Sequence, residues 1–396
     1  MDITIQPGRL RGTIRAIPSK SQAHRYLISA AFADAPTKLI CPETNRDIEA
    51  TADCLNALGA EITRTTDGYT VEPIREIPEK ATLPCCESGS TLRFLLPIAG
   101  ALGVDATFRM EGRLPQRPLS PLWEEMERMG CVLTRPTADT VRCTRKLLPG
   151  AYSIDGGVSS QFVTGLLFAL SLLDRESHLA LTGKVESVPY IEMTLRALER
   201  FGVEIPHSIS EYAIRPARFL TPGTLEVEGD WSNGAFWMAA ANLGSDLTIL
   251  GLDPTSPQGD RAANYWLPRL MEHQTIDASN IPDLVPILAV VAGAKQGAVF
   301  TNAGRLRIKE SDRLQTTADL IHNLGGRAVI QGDSLIVEGT GYRGGTVVAT
   351  GDHRIAMAGA IAATVCTEPV TIVGAEAVSK SYPAFWRDYG NLGGKI

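Results

Sequence analysis

The sequence predicts an α/β protein of two domains, assembled from six similar modules. Three observations carry that prediction. An amphipathic helix that closes on Gly and runs into a strand recurs along the chain. A helix apolar nearly all round alternates with it. Most of these buried helices start about 70 residues apart, with one shorter interval near 49. At 396 residues the chain is long for one core, which makes two domains the starting expectation. A period this long argues for α/β modules rather than a thin solenoid of roughly 20–45-residue repeats.

The first element appears as "CLNALGAEI" (54–62), "EMERMGCVL" (125–133), "ALERFGVEI" (197–205) and "LIHNLGGRAVI" (320–330), with weaker copies at 267–276 and 385–394. Gly suits a left-handed helix C-cap, and the β-branched residues after it suit a strand. The second element is read at 21–33, 88–102, 159–173, 230–243, 279–294 and 351–365. Apolar character on every face implies burial on every side. Pro97 and Pro286 predict a kink or a shifted start in two of these helices. Short strand-like stretches such as "TLEVEG", "SLIVEG" and "GTVVAT" lie between them.

Composition narrows the function classes. With 44% hydrophobic and 21% charged residues this is an ordinary globular chain. A formal net charge of −6 gives no general pull toward nucleic acid or anionic lipid. The start, "MDITIQPGRLRG", lacks an apolar signal core, and apolar runs of about 11–13 residues are too short to span a bilayer. The seven cysteines have no metal-ligand spacing and are expected to be reduced thiols of a cytoplasmic protein.

Every buried helix opens with polar residues, and the set differs each time. Ser19, Lys20 and Ser21 precede Arg25. Ser88, Gly89 and Ser90 precede Arg93. Ser159, Ser160 and Gln161 open the third, Asp230 and Ser232 the fourth, Ser279, Asn280 and Asp283 the fifth, and Asp352, His353 and Arg354 the sixth. Capping accounts for Asp230, Ser232 and Ser279. It does not account for Lys20, Arg25, Arg93, His353 or Arg354, because cations oppose the dipole at a helix N-terminus. Either the fold or a ligand must supply their counter-charge. An anion would resolve the conflict, bound jointly by backbone N–H groups and the cations. Arg113 and Arg117 in "RLPQRP", Lys309, Glu310, Asp312 and Arg313 in "RLRIKESDRL", and Lys380 add further charge. Arg305 and Arg307 fit a solvated face, whereas Glu310 between cations also suits acid–base work.

In this order, "SKSQAHR", "SGSTLR", "SSQF", "VPYIEMTL", "IPDLVPILAV", "KESDRL" and "DHRIAM" closely resemble the 5-enolpyruvylshikimate-3-phosphate synthase family, across nearly the whole chain. The resemblance implies two globular domains, each of three βαβαββ units whose buried helices point at the interdomain cleft. It implies one domain from 1–17 plus 228–396 and another from 18–227. It also implies the reaction. The enolpyruvyl group of phosphoenolpyruvate passes to the 5-hydroxyl of shikimate 3-phosphate, with release of phosphate.

By the same resemblance, Lys20, Gly89, Arg113, Gln161, Arg313, His353, Arg354 and Lys380 surround phosphoenolpyruvate. Ser21, Arg25, Ser159, Ser160, Gln161, Ser187, Tyr190, Asp283 and Lys309 surround shikimate 3-phosphate. Glu310 is the acid at C3 and later the base, Asp283 acts on the hydroxyl, and Lys20 and His353 assist. No metal or organic cofactor is implied, and a cytoplasmic monomer with no nucleic acid or membrane partner is expected. Two positions depart from the family pattern: Glu87 and Arg305 each stand where Asn is common. Enolpyruvyl transfer to UDP-N-acetylglucosamine is the nearest rival, but that family typically carries a reactive loop Cys and 113–118 has none. A catalytically inactive anion-binding relative, or a repeat scaffold, is the rival from another class. A scaffold should reuse its polar positions, and here each module differs.

Overall fold

A computed structural model describes residues 1–396. The chain divides into two compact units, Met1–Ile17 with Glu228–Ile396, and Pro18–Val227. Each has its own hydrophobic core, and no residue belongs to both.

The complete module is clearest over residues 80–144. Strand Lys80–Cys86 leads to helix Gly89–Leu102, strand Asp105–Met110, helix Leu122–Arg128 and strands Val132–Thr134 and Thr140–Thr144. The two strands flanking the buried helix pair in parallel, as a helical crossover requires, and the closing strands pair antiparallel. The same order runs from Gln274–Asp277 to Ser334–Glu338. A third copy, over 20–72, borrows its first strand, Thr224–Glu226, from the far end of the unit.

Three modules are shorter than the sequence pattern suggests. After helix Val188–Arg200 and Gly202, residues 203–205 form no strand. Pro206 follows at once and has no N–H to give a ladder. Helix Ala263–Arg269 is followed directly by strand Gln274–Asp277 of the next module, with no hairpin of its own. The interval near 49 residues records that loss. The last module ends on helix Phe385–Asn391, and strand Asp2–Ile5 completes its sheet antiparallel to Val370–Val373.

The six buried helices are Lys20–Ala31, Gly89–Leu102 and Ser160–Ser171 in one unit, and Trp231–Asn242, Val285–Ala294 and His353–Ala362 in the other. Pro97 lies within its helix, whereas Pro286 sits in the first turn and moves the start from 279 to Val285. Asp230 caps its helix by accepting from Asn233 N, but Ser232 lies inside that helix and Ser279 lies before one, so neither is a cap. The closing glycines behave as expected: Gly59, Gly130, Gly202 and Gly325 all have positive φ. All seven cysteines are free thiols. No helix is long and apolar enough to cross a membrane.

Candidate active site

In the discontinuous unit, three helix starts and a turn bring charges together. Asp283 precedes helix Val285–Ala294, Arg313 opens helix Arg313–Asn323, and His353 and Arg354 open helix His353–Ala362. Lys309 and Glu310 follow the 3-10 turn Gly304–Ile308. Arg313, fully buried, donates to three carboxylates: Asp283 at 2.7 Å, Glu310 at 2.6 Å and Asp352 at 2.8 Å. Asp283 also takes Arg354 at 3.1 Å and lies 3.4 Å from Lys309. Asp352 caps its helix through Arg354 N and accepts from Ser311 Oγ at 3.0 Å. For Asp352 and Arg354, then, the fold supplies counter-charges.

The electrostatics follow from that crowding. Burial pushes the Asp283 carboxyl up, but Arg354, Lys309 and Arg313 outweigh it and hold it well below the ordinary carboxylate range. Burial, helped by Arg313 and Arg305, brings the Lys309 ammonium down to about 8 against the pull of Asp283. His353 and Lys380 are buried in the same unit, Lys380 at the end of the 3-10 turn Ala375–Lys380.

The continuous unit gathers a different set. Arg25 is 2% exposed. Its guanidinium donates to Thr194 Oγ1 (2.9 Å), Thr164 Oγ1 (3.3 Å), Ser21 O (2.6 Å) and Tyr190 O (2.9 Å), all neutral acceptors. Burial without a carboxylate partner pulls it down to about 9. Lys20, by contrast, pairs with Asp47 at 2.9 Å. Gln161 bridges two buried helices, accepting from Arg93 at 2.7 Å and donating to Ser90 Oγ at 2.9 Å. Ser159 and Ser160 precede it, and Ser159 accepts from Gln161 N. Ser187 is buried at φ +55°, a strained setting for a non-Gly residue, and its carbonyl accepts from Tyr190 N.

A Cβ built on Gly89 would lie 2.6 Å from Arg117 Nη1 and 3.1 Å from Arg93 Nη1. Two guanidinium groups therefore crowd the start of helix Gly89–Leu102. Arg113, four residues away, is exposed on the N-cap of the turn Leu114–Gln116.

The family model described as EPSP synthase (3-phosphoshikimate 1-carboxyvinyltransferase) matches residues 5–389. The chain belongs to that family. The 3-phosphoshikimate 1-carboxyvinyltransferase of Clostridium kluyveri is 38% identical over 416 aligned positions, covering 100% of this chain and 98% of the relative. That of Clostridium novyi is 39% identical over 426, with the same coverage. Among solved structures, the EPSP synthase of Acinetobacter baumannii aligns with a TM-score of 0.81 at 23% identity, covering 99% of this chain and 98% of that one. An enolpyruvyl transferase from Streptomyces tendae gives 0.74 at 18% identity, covering 100% and 97%. These two are likenesses of fold.

For this EPSP synthase family member, sequence reasoning named Arg117 only as a loop cation, assigned Arg113 to phosphoenolpyruvate, and passed over Asp47 and Asp260. Arg117 and Arg113 share one Pro-bounded loop, and nothing local distinguishes the inward cation. Asp47 sits in the first turn of an amphipathic helix, Arg46–Ala57, where an acid is unremarked. Asp260 is a buried carboxyl hydrogen-bonded by Ser232 Oγ. Burial, and then Asp283, push it up to about 7.

Proposed function

We propose that the protein transfers the enolpyruvyl group of phosphoenolpyruvate to the 5-hydroxyl of shikimate 3-phosphate and releases phosphate, a step of aromatic amino acid biosynthesis. Beyond family membership, one observation supports this reading most: Arg25 is buried with four neutral partners and no carboxylate. A buried cation without a counter-ion is costly, and an arriving anion relieves that cost. Shikimate 3-phosphate supplies such an anion, with Ser21, Ser159, Ser160, Gln161, Ser187, Tyr190, Asp283 and Lys309 as its other contacts.

Phosphoenolpyruvate is assigned to Lys20, Gly89, Gln161, Arg313, His353, Arg354 and Lys380. Within "RLPQRP", the position of Arg117 beside Gly89 favours it over the exposed Arg113 as the cation of this loop.

The chemistry is addition, then elimination. The 5-hydroxyl adds to C2 of the enol while C3 gains a proton. The tetrahedral intermediate then loses phosphate and that proton. Glu310, held by Arg313, is the acid at C3 and then the base. Asp283, kept ionised by its three cations, orients or deprotonates the hydroxyl. Lys20 and His353 assist proton transfer and departure of the phosphate, and the arginines clamp charge that develops in the transition state. The protein acts as a cytoplasmic monomer in this reading.

Phosphate release separates this from its rivals. Phosphoenolpyruvate should yield phosphate with shikimate 3-phosphate, and not alone or with UDP-N-acetylglucosamine. Turnover with the nucleotide sugar, or binding of both substrates without turnover, would overturn the assignment.

A further inference from the structure

Glu87 departs from the family pattern, and its surroundings assign it a task. Strand Lys80–Cys86 ends in a register shift between Pro84 and Cys86, and Cys86 takes a left-handed conformation at φ +48°. A bulge followed by a non-Gly residue at positive φ re-aims the next side chain. That side chain is Glu87. A Cβ built on Gly112, itself at φ +55°, would fall on the Glu87 carboxylate. Glu87 therefore occupies the space that any other residue at 112 would need.

Gly112 begins the loop that carries Arg117. Two hydrogen bonds fasten that loop to the strand end and to the helix after it: Glu111 N donates to Cys86 O at 2.7 Å, and Arg93 Nη2, on helix Gly89–Leu102, donates to Pro118 O at 3.0 Å. At its inner end Arg117 abuts Gly89.

We propose that Glu87 is a positioning residue: seated on the bare face of Gly112, its carboxylate fixes the loop 111–118 and so holds the Arg117 guanidinium beside Gly89 for phosphoenolpyruvate. This rests on the reading of Arg117 as the phosphoenolpyruvate cation of the loop. The effect of Glu87 reaches the ligand only through where Arg117 stands.

Steady-state kinetics on the full chain test this, with the two substrates varied separately. Glu87→Ala and Gly112→Ala should each raise KM for phosphoenolpyruvate on the order of tenfold, because a guanidinium displaced by about 1 Å loses its grip. KM for shikimate 3-phosphate and kcat should stay within about twofold. Both substitutions unseat the same contact, so the double variant should be little worse than either single one. Strain of Ala at positive φ is present in Gly112→Ala and in the double variant, so it cancels when those two are compared. Glu87→Gln keeps the reach and the polar head and should stay close to wild type. Arg117→Ala, run in parallel, should raise KM for phosphoenolpyruvate at least as much. If Arg117→Ala binds phosphoenolpyruvate normally, the reading of Arg117 fails and this inference with it. If Arg117→Ala is impaired while Glu87→Ala and Gly112→Ala are not, only this inference fails. Additive effects, equal losses for both substrates, or Glu87→Gln behaving like Glu87→Ala would also overturn it.

Discussion

Arg313 shows how much of the site rests on single side chains. It is buried against Asp283, Glu310 and Asp352, so its loss would leave three carboxylates short of a counter-charge. Arg313→Met should cost about 3–5 kcal/mol in urea unfolding, the usual penalty for breaking one side of a buried pair. A loss below about 1 kcal/mol would place the group in a far wetter setting. Asp260 gives a second test, through pH. Its folded carboxyl is pushed up to about 7, and unfolded it titrates near about 3.9. Between those values the folded chain keeps a proton the unfolded chain has lost, so this group's stabilisation falls as pH rises. His24 works the other way. Burial takes it down to about 3, so its contribution grows as pH climbs from there toward its unfolded value near about 6.5. The two oppose each other in the wild type, and substitution separates them. Asp260→Asn should gain stability relative to wild type as pH goes from 4 to 7, read from urea midpoints. A constant difference across that window would contradict the raised carboxyl.

Helix starts are where the elements become functional, and they were also the legible part of the sequence. Cations ahead of apolar runs stand out because capping cannot explain them, so Lys20, Arg25, Arg93, His353 and Arg354 were visible as candidates. Five buried helices begin within about two residues of their sequence pattern, and the sixth is displaced by Pro286. What answers each cation was not legible. Asp47 for Lys20, and Thr164 and Thr194 for Arg25, come from distant segments whose local patterns read as ordinary surface or core. Strands were also over-read after Gly202, where Pro206 stops the ladder. The start of helix Gly89–Leu102 carries its own prediction. In Gly89→Ala the new Cβ meets the flexible end of Arg117, which can move, so thermal stability should change little. KM for phosphoenolpyruvate should rise on the order of tenfold while shikimate 3-phosphate is bound as before. Equal weakening of both substrates would remove Gly89 from the phosphoenolpyruvate side.

At the scale of the whole molecule, the two cores are made of different residues and only one unit is continuous in sequence. Residues 18–227 contain every strand of their own sheets, including Thr224–Glu226 against Thr37–Ile40. This segment should fold alone with a cooperative urea transition. Residues 228–396 lack Asp2–Ile5 and Arg11–Arg15, which pair with Val370–Val373 and Asp246–Leu250, and should not. Cooperative folding of the second fragment and not the first would contradict this division of the chain. The central claim is that the charges gathered around Arg313 serve proton transfer in addition–elimination rather than stability alone. Exchange of solvent deuterium into the methylene of phosphoenolpyruvate, with shikimate 3-phosphate saturating, tests it most directly. Wild type should exchange, and Glu310→Gln, which keeps the shape beside Arg313 but not the acid, should suppress exchange by roughly 10²–10⁴ with little change in substrate affinity. Exchange at the wild-type rate in Glu310→Gln would show that Glu310 is no acid and that the cluster around Arg313 serves the fold.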